Sequence, residues 1–225
     1  MSRTQATRHR GRAGLAAALA GPLPGMLGAY LIDTPFVDLQ DEIQLDAGHR
    51  VLQLGCGRAG LLRALDGRVR FRCPPVGVDE SQARLRAAAR SAGDDVISLA
   101  AATTTRLPFA EERFDLVLAA HCFRQLEDDM LFRVLLECRR VLKPGGVLLA
   151  WEFAPLSSRL LNRFHAWLLR RRGTPVRLRG FGMLAPYALY AGFKHVNRLQ
   201  FRTPFLFPPI PRVAVALQKA AAGEE

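Results

Sequence analysis

A short apolar run that ends in a glycine-rich turn limits the possible folds of this chain more than any other feature. Val51–Leu54 has the composition of a buried strand, and Gly55 and Gly57 follow it directly. The first glycine permits a tight turn, and the second lets a ligand lie against bare backbone. Leucines at 61, 62 and 65 then indicate a helix, whose first amide groups would face a polar ligand.

Apolar runs and helical repeats alternate from residue 50 to residue 151. Strands are predicted at 51–54, 76–78, 96–99, 114–120 and 147–151, and helices at 58–65, 81–92 and 126–142. Lys143-Pro144-Gly145-Gly146 should end the last of these helices with a turn. Strands that alternate with helices predict a parallel α/β sheet, whose ligands bind at the carboxyl ends of the strands.

The pattern changes after Trp151. Residues 157–172 place apolar and basic side chains at helical spacing and predict an amphipathic helix. Beyond a stretch broken by glycine and proline, strands are predicted at 196–202 and 213–217, and we expect them to pair antiparallel at the edge of a seven-stranded sheet. The proline-rich loop at 203–211 between them is either a lid over the ligand or part of the core.

Composition narrows the compartment and the kind of site. No stretch approaches the ~20 apolar residues of a membrane-spanning helix, because glycine and proline interrupt the longest candidate at 15–31. The four cysteines form no Cys-x-x-Cys pair, which suits a reducing compartment and argues against a structural zinc site, so we expect no metal. Residues 1–14 are rich in arginine, as in a transit peptide, but no clear cleavage site follows, and we expect a cytoplasmic protein.

Several features downstream of the glycine turn complete a set. Asp79 ends the second strand about 20 residues past the turn, where a ribose needs a hydrogen-bond acceptor. Leu107-Pro108-Phe109 and Phe114-Asp115 lead into the fourth strand, and the segments 140–146 and 151–155 flank the fifth. Over residues 50–153 this set resembles the class I S-adenosylmethionine-dependent methyltransferases. Residues 122–126, 140–146 and 152–153 resemble the ubiquinone/menaquinone C-methyltransferase group of that class.

The resemblance implies a Rossmann-like α/β fold with a seven-stranded, mostly parallel sheet and an antiparallel last strand. It also implies S-adenosyl-L-methionine as cofactor and methyl transfer to a small, lipophilic or aromatic acceptor. Arg124 and Gln125 would border the acceptor, and His121 would face the reacting groups. The cofactor-binding residues that it implies are Gln53, Gly55, Cys56, Gly57, Asp79, Glu80, Thr103, Thr104 and Ala120.

The net charge of +12 is concentrated at the two ends of the chain. Residues 1–32 carry +4, residues 33–150 carry −1 and residues 151–225 carry +9, which predicts a neutral core with basic flanks. We accordingly expect a basic tail with a first helix at 1–32 and a cofactor-binding α/β core at 33–155. A substrate-covering helix and the edge strands of the same domain would occupy 156–225.

Three positions depart from the family pattern. The family usually has an acid at 53, a third glycine at 59 and an acid at 103, whereas this chain has Gln53, Ala59 and Thr103. Neutral glutamine and threonine still form hydrogen bonds but lose the strength that charge adds. These departures leave open a second function, that of a methyltransferase-like binding or assembly protein with weak catalysis.

Several residues keep a second interpretation. The glycine turn also matches the G-x-G-x-x-G pattern of NAD-binding proteins, although the downstream motifs are not part of that fingerprint. Asp79 is either the ribose acceptor or a turn acid at the end of a strand. His121 is either a general base or a hydrogen-bonded histidine of the pocket, and some acceptors need no base. Weaker candidates for proton transfer are Glu152, His165 and His195.

The basic flanks allow two further kinds of partner. The predicted helix at 157–172 would either lie on an anionic membrane, as a peripheral contact, or cover the sheet with its apolar face, which is the default for a surface helix. The arginines within 170–172 and 177–179 would suit the phosphates of an RNA substrate. No pattern of aromatic and basic residues accompanies them, which argues against an RNA methyltransferase. The sequence leaves the oligomeric state open.

Overall fold

Seven strands form one sheet in the computed structural model, which describes residues 45–92, 97–169, 175–199 and 211–224. The strands are β1 (Val51–Leu54), β2 (Val76–Asp79), β3 (Ser98–Ala101), β4 (Phe114–Ala120), β5 (Leu142–Phe153), β6 (His195–Leu199) and β7 (Arg212–Gln218). Their order is β3-β2-β1-β4-β5-β7-β6. β1 to β5 pair in parallel, and β7 runs antiparallel to both of its neighbours. The predicted fold class is therefore confirmed.

Helices cover both faces of this sheet. Within the described residues they are α1 (Gly60–Val69), α2 (Gln82–Ala92), α3 (Asp128–Val141), α4 (Arg159–Leu168) and α5 (Phe181–Tyr190). Buried residues of α1 and α2 pack with Leu118 and Trp151 on one face. Those of α3 and α5 pack with Leu52 and Val117 on the other. Burial of apolar side chains on both faces explains why the inner strands have nearly continuous apolar sequences.

The strand order reverses between β1 and β4, which are neighbours in the sheet. In doubly wound sheets a ligand binds at such a switch point, outside the carboxyl ends of the strands. Leu54 at the end of β1 is paired with Ala119 near the end of β4. The glycine turn and His121 therefore leave the sheet at the same edge.

Arg140 explains the Leu107-Pro108-Phe109 motif as a structural one. Its guanidinium donates hydrogen bonds to the carbonyl oxygens of Phe109 (2.8 Å) and Leu107 (3.2 Å) and pairs with Glu137 (2.8 Å). The Glu137 carboxylate in turn accepts the backbone N–H of Leu107 at 2.8 Å. Glu137 and Arg140 of α3 thus hold the Leu107-Pro108-Phe109 segment, which precedes β4 and lies away from the carboxyl edge of the sheet.

The turn predicted at 143–146 belongs to the first residues of β5. Leu142 pairs with Phe114, and the register shifts before Val147 pairs with Leu116. The Lys143 ammonium contacts both carboxylate oxygens of Asp115, at 2.7 and 2.8 Å, and fixes this irregular start. The strand predicted at 147–151 is therefore longer at both ends than the apolar run alone indicates.

The sequence prediction missed α5. Gly182 and Pro186 interrupt its apolar pattern, and proline inside a helix removes one backbone hydrogen bond. The carbonyl that loses its donor belongs to Gly182, which is exposed, so water can replace the lost bond. Leu184 and Ala188 are buried in the core, and this packing outweighs the unfavourable local sequence.

The other elements differ from their predicted bounds by a few residues. The largest of these differences are at the ends of two helices: α1 ends at Val69, whereas the pattern indicated 65, and α4 ends at Leu168, whereas the pattern indicated 172. The predicted tail and first helix at 1–32, the arginines at 170–172 and nearly all of the loop at 203–211 lie outside the described residues. No helix among the described residues is long and apolar enough to cross a membrane.

Candidate functional site

The glycine turn leaves an open stretch of backbone at the carboxyl edge of β1. Gly55 and Gly57 both have a φ of +58°, in the left-handed region that glycine adopts without strain. A Cβ atom on Gly57 would meet no heavy atom within 4 Å. The Cys56 N–H donates to the carbonyl of Val78 at 2.9 Å and ties the turn to β2. The turn is thus rigidly held while its outer surface stays free for a ligand.

The turn packs on β2 because Gly77 has no side chain. A Cβ atom there would lie 2.8 Å from the Cys56 sulfur and 3.0 Å from a methyl carbon of Leu62. The Cys56 side chain is buried, and burial raises the pKa of its thiol to about 12. Cys56 therefore serves packing in this structure, because a nucleophilic thiol would need a lowered pKa.

Ala59 stands where the family usually has the third glycine of the turn. Its φ is +56°, and it precedes the first residue of α1. The left-handed conformation costs a residue with a Cβ roughly 1–2 kcal/mol. The Ala59 methyl group is fully buried against the core beneath α1, which recovers ~0.8 kcal/mol. The departure is thus compatible with the same turn geometry.

The buried carboxylate of Asp79 is already engaged within the chain. One oxygen accepts the Gly57 N–H at 2.9 Å. The other accepts the Ser81 N–H at 2.8 Å and two bonds from Arg84, from Nε at 3.0 Å and Nη2 at 2.7 Å. Asp79 thus joins the turn to β2, as the turn-acid interpretation holds, and a ribose would have to share it with Arg84.

Arg84 is a residue of this site that the sequence analysis missed. It lies in the first turn of α2, which contains no acidic residue. A cation at a helix N-terminus is electrostatically unfavourable, so an arginine there needs a compensating partner. That misfit was the available signal, and Asp79 is the partner.

Gln53 projects from β1 toward the face covered by α1 and is buried. Its amide oxygen has no hydrogen-bond partner in the described part of the chain. A buried carbonyl oxygen without a donor costs about 1–3 kcal/mol, so a ligand donor there would be favoured. Trp151 Nε1, on the same face, is likewise buried without an acceptor among the described residues.

The remaining predicted cofactor residues lie at or just beyond the carboxyl ends of β2, β3 and β4. Asp79 pairs with Ala101 at the end of β3, two residues before Thr103. Thr103 and Glu80 are exposed, whereas Thr104 and Ala120 are half-buried. The structure therefore places the predicted set along one edge, from β3 to β4, without assigning a ligand to any member.

His121 follows β4 in a strained conformation. Its φ is +53°, which is uncommon for a residue with a Cβ, and such strain concentrates at functional sites. Its ring stacks on Phe153, with centroids 4.3 Å apart, and neither ring nitrogen has a hydrogen-bond partner among the described residues. Burial, and then the positive charges of Arg124 and Arg212, hold the pKa of His121 well below its usual range. The imidazole is thus neutral at pH 7, and a weaker base than the sequence alone indicated.

Glu152 is the second buried titratable group beside His121. One carboxylate oxygen accepts the Phe123 N–H at 2.6 Å. The other lies 4.0 Å from His121 Nδ1, too far for a hydrogen bond, and has no other partner among the described residues. Burial raises the pKa of Glu152 to about 7, against the opposing effects of Arg124 and the Phe123 N–H. Glu152 therefore titrates near neutrality, as a general base should.

The predicted acceptor residues lie in a short 3₁₀ turn, Phe123–Gln125. Arg124 is buried, with its guanidinium carbon 5.7 Å from the Phe153 ring centroid, and Gln125 is exposed. The buried Arg179, which the sequence analysis assigned to a possible phosphate contact, donates to the carbonyls of Phe123 (2.8 Å) and Leu126 (2.6 Å) instead. It therefore holds this turn in place and faces no external phosphate.

Arg177, in the same segment, also bonds within the protein. Its side chain pairs with Glu127 at 3.1 Å, and its N–H donates to the carbonyl of Arg124 at 2.8 Å. Arg177 and Arg179 thus favour a structural role over nucleic-acid binding. Across the described residues, His, Cys, Asp and Glu form no group of three or more that could hold a metal ion.

The sequence of this chain is similar to those of known methyltransferases. Residues 52–150 match a family model described as a methyltransferase domain. The chain is 31% identical over 134 residues to phthiotriol/phenolphthiotriol dimycocerosates methyltransferase 1 of Mycobacterium ulcerans, which covers 58% of this chain and 45% of that protein. It is 33% identical over 119 residues to the ubiquinone/menaquinone biosynthesis C-methyltransferase UbiE of Bordetella avium, which covers 50% and 44%.

A solved structure shares the fold. An S-adenosylmethionine-dependent methyltransferase from Mesorhizobium loti superposes with a TM-score of 0.65 at 20% identity, over 84% of this chain and 100% of that one. The chain spans less than half the length of the two curated relatives above. The sequence similarity is centred on the region that contains the glycine turn, Asp79 and β4.

Proposed function

We propose that this chain uses S-adenosylmethionine to transfer a methyl group to a small, lipophilic acceptor, because residues 52–150 match a family model described as a methyltransferase domain. The observation that carries the proposal is the open glycine turn, held beside the buried Asp79 carboxylate at the switch point of the sheet. One curated relative is named for phthiotriol/phenolphthiotriol dimycocerosates and the other for ubiquinone/menaquinone biosynthesis, which supports a lipophilic acceptor. Such acceptors reside in membranes, so contact with a membrane belongs to the same proposal.

The residues at this edge fit S-adenosyl-L-methionine. The bare backbone at 55–57 would hold its amino-acid part, Asp79 would accept hydrogen bonds from its ribose, and the free Gln53 oxygen would accept a further donor. When bound, the cofactor supplies a methyl group carried on a positively charged sulfur. The stacked and buried rings of His121 and Phe153 would limit the access of water to a methyl group beside them, which would favour a reaction in which charge disappears.

Glu152 and His121 would border the acceptor. Glu152 is close to half-ionised at neutral pH, and one of its oxygens has no partner among the described residues. We therefore assign Glu152, rather than His121, to removing a proton from an acceptor that must lose one. The neutral His121 ring, held by its stacking on Phe153, would position the acceptor through its two nitrogens, which have no hydrogen-bond partner among the described residues.

Calorimetry with S-adenosylhomocysteine, the demethylated product, tests the cofactor site. We expect binding in the micromolar range, and Asp79→Asn should weaken it at least tenfold because the carboxylate supports both the turn and the ribose. Asp129→Asn, an exposed acid on α3, is the matched control and should leave the affinity unchanged. Absence of heat at concentrations well above the micromolar range would refute the proposal.

Transfer of labelled methyl groups tests catalysis separately from binding. The acceptors to be compared are a demethylated quinol and a long-chain lipid alcohol, because the two curated relatives act in those chemistries by name. Product formation with either would establish the reaction and the acceptor class. Tight cofactor binding without transfer to any acceptor would favour the alternative, a methyltransferase-like binding or assembly protein.

A further inference from the structure

Helix α4 presents its apolar side chains to solvent. Leu160 is 76% and Trp167 66% exposed, and Leu161 and Phe164 are each nearly half exposed. Their spacing along the helix puts the four residues in one stripe, in which the Phe164 and Trp167 ring centroids lie 6.0 Å apart at an interplanar angle of 29°. We call these four residues the apolar stripe. Soluble proteins expose single apolar residues freely, but a contiguous patch of this kind marks an interaction surface.

The opposite side of α4 faces the protein, and polar groups join the helix to the residues just before it. His165 is fully buried there. The Asn162 amide bonds both the N–H and the carbonyl of Leu156, each at 2.7 Å, and the Ser158 hydroxyl caps the helix by accepting the Leu161 N–H at 3.3 Å. The default interpretation from the sequence, that the apolar face of this helix covers the sheet, is therefore wrong for the stripe. With His165 buried on the inner side, the helix turns its most apolar side outward.

The stripe lies close to the carboxyl edge of the sheet. β5 ends at Phe153, beside His121, and α4 begins at Arg159, so only five residues separate them. A lipophilic acceptor has to reach this edge to meet the cofactor. The apolar stripe is thus near the side from which such an acceptor would enter.

The exposed charged residues of α4 are all basic. Arg159 and Arg163 are exposed on α4 itself. No aspartate or glutamate occurs between residues 153 and 223, a segment that holds twelve lysines and arginines. Apolar and aromatic side chains beside exposed arginines match the surface of an anionic bilayer, where tryptophan and arginine settle among the headgroups.

We propose that α4 docks this protein on membranes that contain anionic lipid. The apolar stripe enters the interface between headgroups and acyl chains, and Arg159 and Arg163 pair with lipid phosphates. Docking would bring the carboxyl edge of the sheet to the bilayer surface, so that a lipophilic acceptor could pass from the bilayer to the site at this edge. The purpose of this docking rests on the proposed function, whereas the docking itself depends only on the stripe and its charge.

The two tryptophans of the chain provide a direct measurement. Trp151 is 1% exposed and should be insensitive to vesicles, whereas Trp167 belongs to the stripe. Phosphatidylglycerol–phosphatidylcholine vesicles should shift the emission to shorter wavelength and sediment the protein, and phosphatidylcholine vesicles should do so far less. Trp167→Phe should abolish the shift while the protein still sediments. Arg159→Gln and Arg163→Gln should each lower the affinity for the anionic vesicles about fivefold, and added salt should weaken the binding of the wild type.

Matched variants separate the stripe from general hydrophobicity. Leu160→Gln with Phe164→Gln should reduce vesicle binding at least tenfold, because two of the inserted side chains become polar. Leu189→Gln with Tyr190→Gln removes comparably exposed side chains from α5 and should leave vesicle binding unchanged. Equal binding by the stripe variant and the wild type would overturn the proposal.

Two further outcomes would also overturn it. Trp167 emission that is already at short wavelength without vesicles, and does not respond to them, would mean that another part of this chain covers the stripe. The same emission appearing only at high protein concentration would identify a second copy as the occupant. Calorimetry with S-adenosylhomocysteine on the stripe variant should give the same affinity as the wild type. This measurement keeps the two proposals distinguishable, because a protein that binds vesicles but not the cofactor would refute the proposed function alone.

Discussion

Arg84 and the ribose of the cofactor would compete for the same carboxylate. Asp79 accepts three bonds on one oxygen, two of them from Arg84, and a single bond from Gly57 on the other. Arg84 is 39% exposed, and ion pairs of partly exposed arginines contribute only about 0–1 kcal/mol. A ribose with two hydroxyl donors can therefore displace the guanidinium at little cost, whereas the Gly57 and Ser81 N–H groups would remain in place.

Removal of Arg84 should consequently tighten cofactor binding. We expect Arg84→Ala to raise the affinity for S-adenosylhomocysteine by up to about fivefold, the equivalent of the ~1 kcal/mol that the ion pair contributes at most. Arg86→Ala, on an exposed side of the same helix, is the control for charge alone and should have no effect. Calorimetry measures both. A loss of affinity in Arg84→Ala would instead mean that the arginine orients Asp79 for the ribose.

Glu152 should give the stability of the protein a distinct pH dependence. Burial raises its pKa from 4.5 to about 7, so the unfolded chain releases this proton at lower pH than the folded chain. The contribution of Glu152 to the free energy of unfolding therefore falls as the pH rises from about 4.5 to about 7 and is constant above that range. The shift corresponds to about 3 kcal/mol.

Glu152→Gln should remove this dependence, because the amide does not ionise and can still accept the Phe123 N–H. Urea unfolding at pH 4.5 and at pH 8 measures the difference between variant and wild type. We expect that difference to move by about 3 kcal/mol in favour of the variant at the higher pH. Glu127→Gln, at an exposed position, should show no such change. Parallel curves for Glu152→Gln and the wild type would mean that Glu152 stays ionised in the folded protein.

At the scale of elements, local pattern and tertiary packing had different predictive value. The strand Val51–Leu54, its glycine turn and the acid at the end of β2 were predictable, because the residues that favour a strand or a turn are neighbours in the sequence. α5 was not, since its buried Leu184 and Ala188 outweigh a local sequence that contains Pro186. The outward side of α4 was not either, because periodicity shows that a helix has an apolar face but not which way that face points.

The same distinction applies to the candidate site. The order of the strands brings together the residues that follow β1, β2, β3 and β4, so membership of the edge could be predicted from motif spacing. The contact between Arg84 and Asp79, and the burial that shifts the pKa of Glu152, depend on how helices and strand ends pack. Ala59 lies between the two cases, because its departure from glycine was visible while its left-handed backbone was not.

The contact between β2 and the glycine turn should be sensitive to a single methyl group. Gly77→Ala would place its Cβ 2.8 Å from the Cys56 sulfur and 3.0 Å from a methyl carbon of Leu62, and both of these side chains are buried. We expect a loss of about 1–3 kcal/mol in the free energy of unfolding, together with weaker cofactor binding. Gly67→Ala in α1 meets nothing within 4 Å and should stabilise the protein by roughly 0.5–1 kcal/mol.

Denaturant unfolding and calorimetry on these two glycine variants test whether the turn is a structural part of the site. Weakened binding in Gly77→Ala but not in Gly67→Ala would connect the packing beneath the turn to the ligand above it. Equal effects of the two substitutions would mean that the turn tolerates displacement, and the proposed cradle would then lose its physical basis.

At the scale of the whole molecule, the carboxyl edge of the sheet combines several local costs. His121 and Ala59 adopt left-handed backbone conformations, and buried polar atoms of Gln53 and Glu152 have no partner among the described residues. Each of these features costs free energy in the absence of a ligand. Stability lost at one edge of an otherwise well-packed sheet is expected where a ligand restores it.

Ligand binding should therefore raise the thermal stability of the entire domain. A ligand present at a hundred times its dissociation constant stabilises the folded state by about 2.7 kcal/mol. For a chain of this length, that corresponds to a rise in Tm of roughly 5–10 °C. We expect S-adenosylhomocysteine to produce this rise in differential scanning fluorimetry, and NAD to produce none, because the motifs downstream of the turn are not those of NAD-binding proteins. A rise with NAD alone would instead assign the glycine turn to a dinucleotide and remove the basis for methyl transfer.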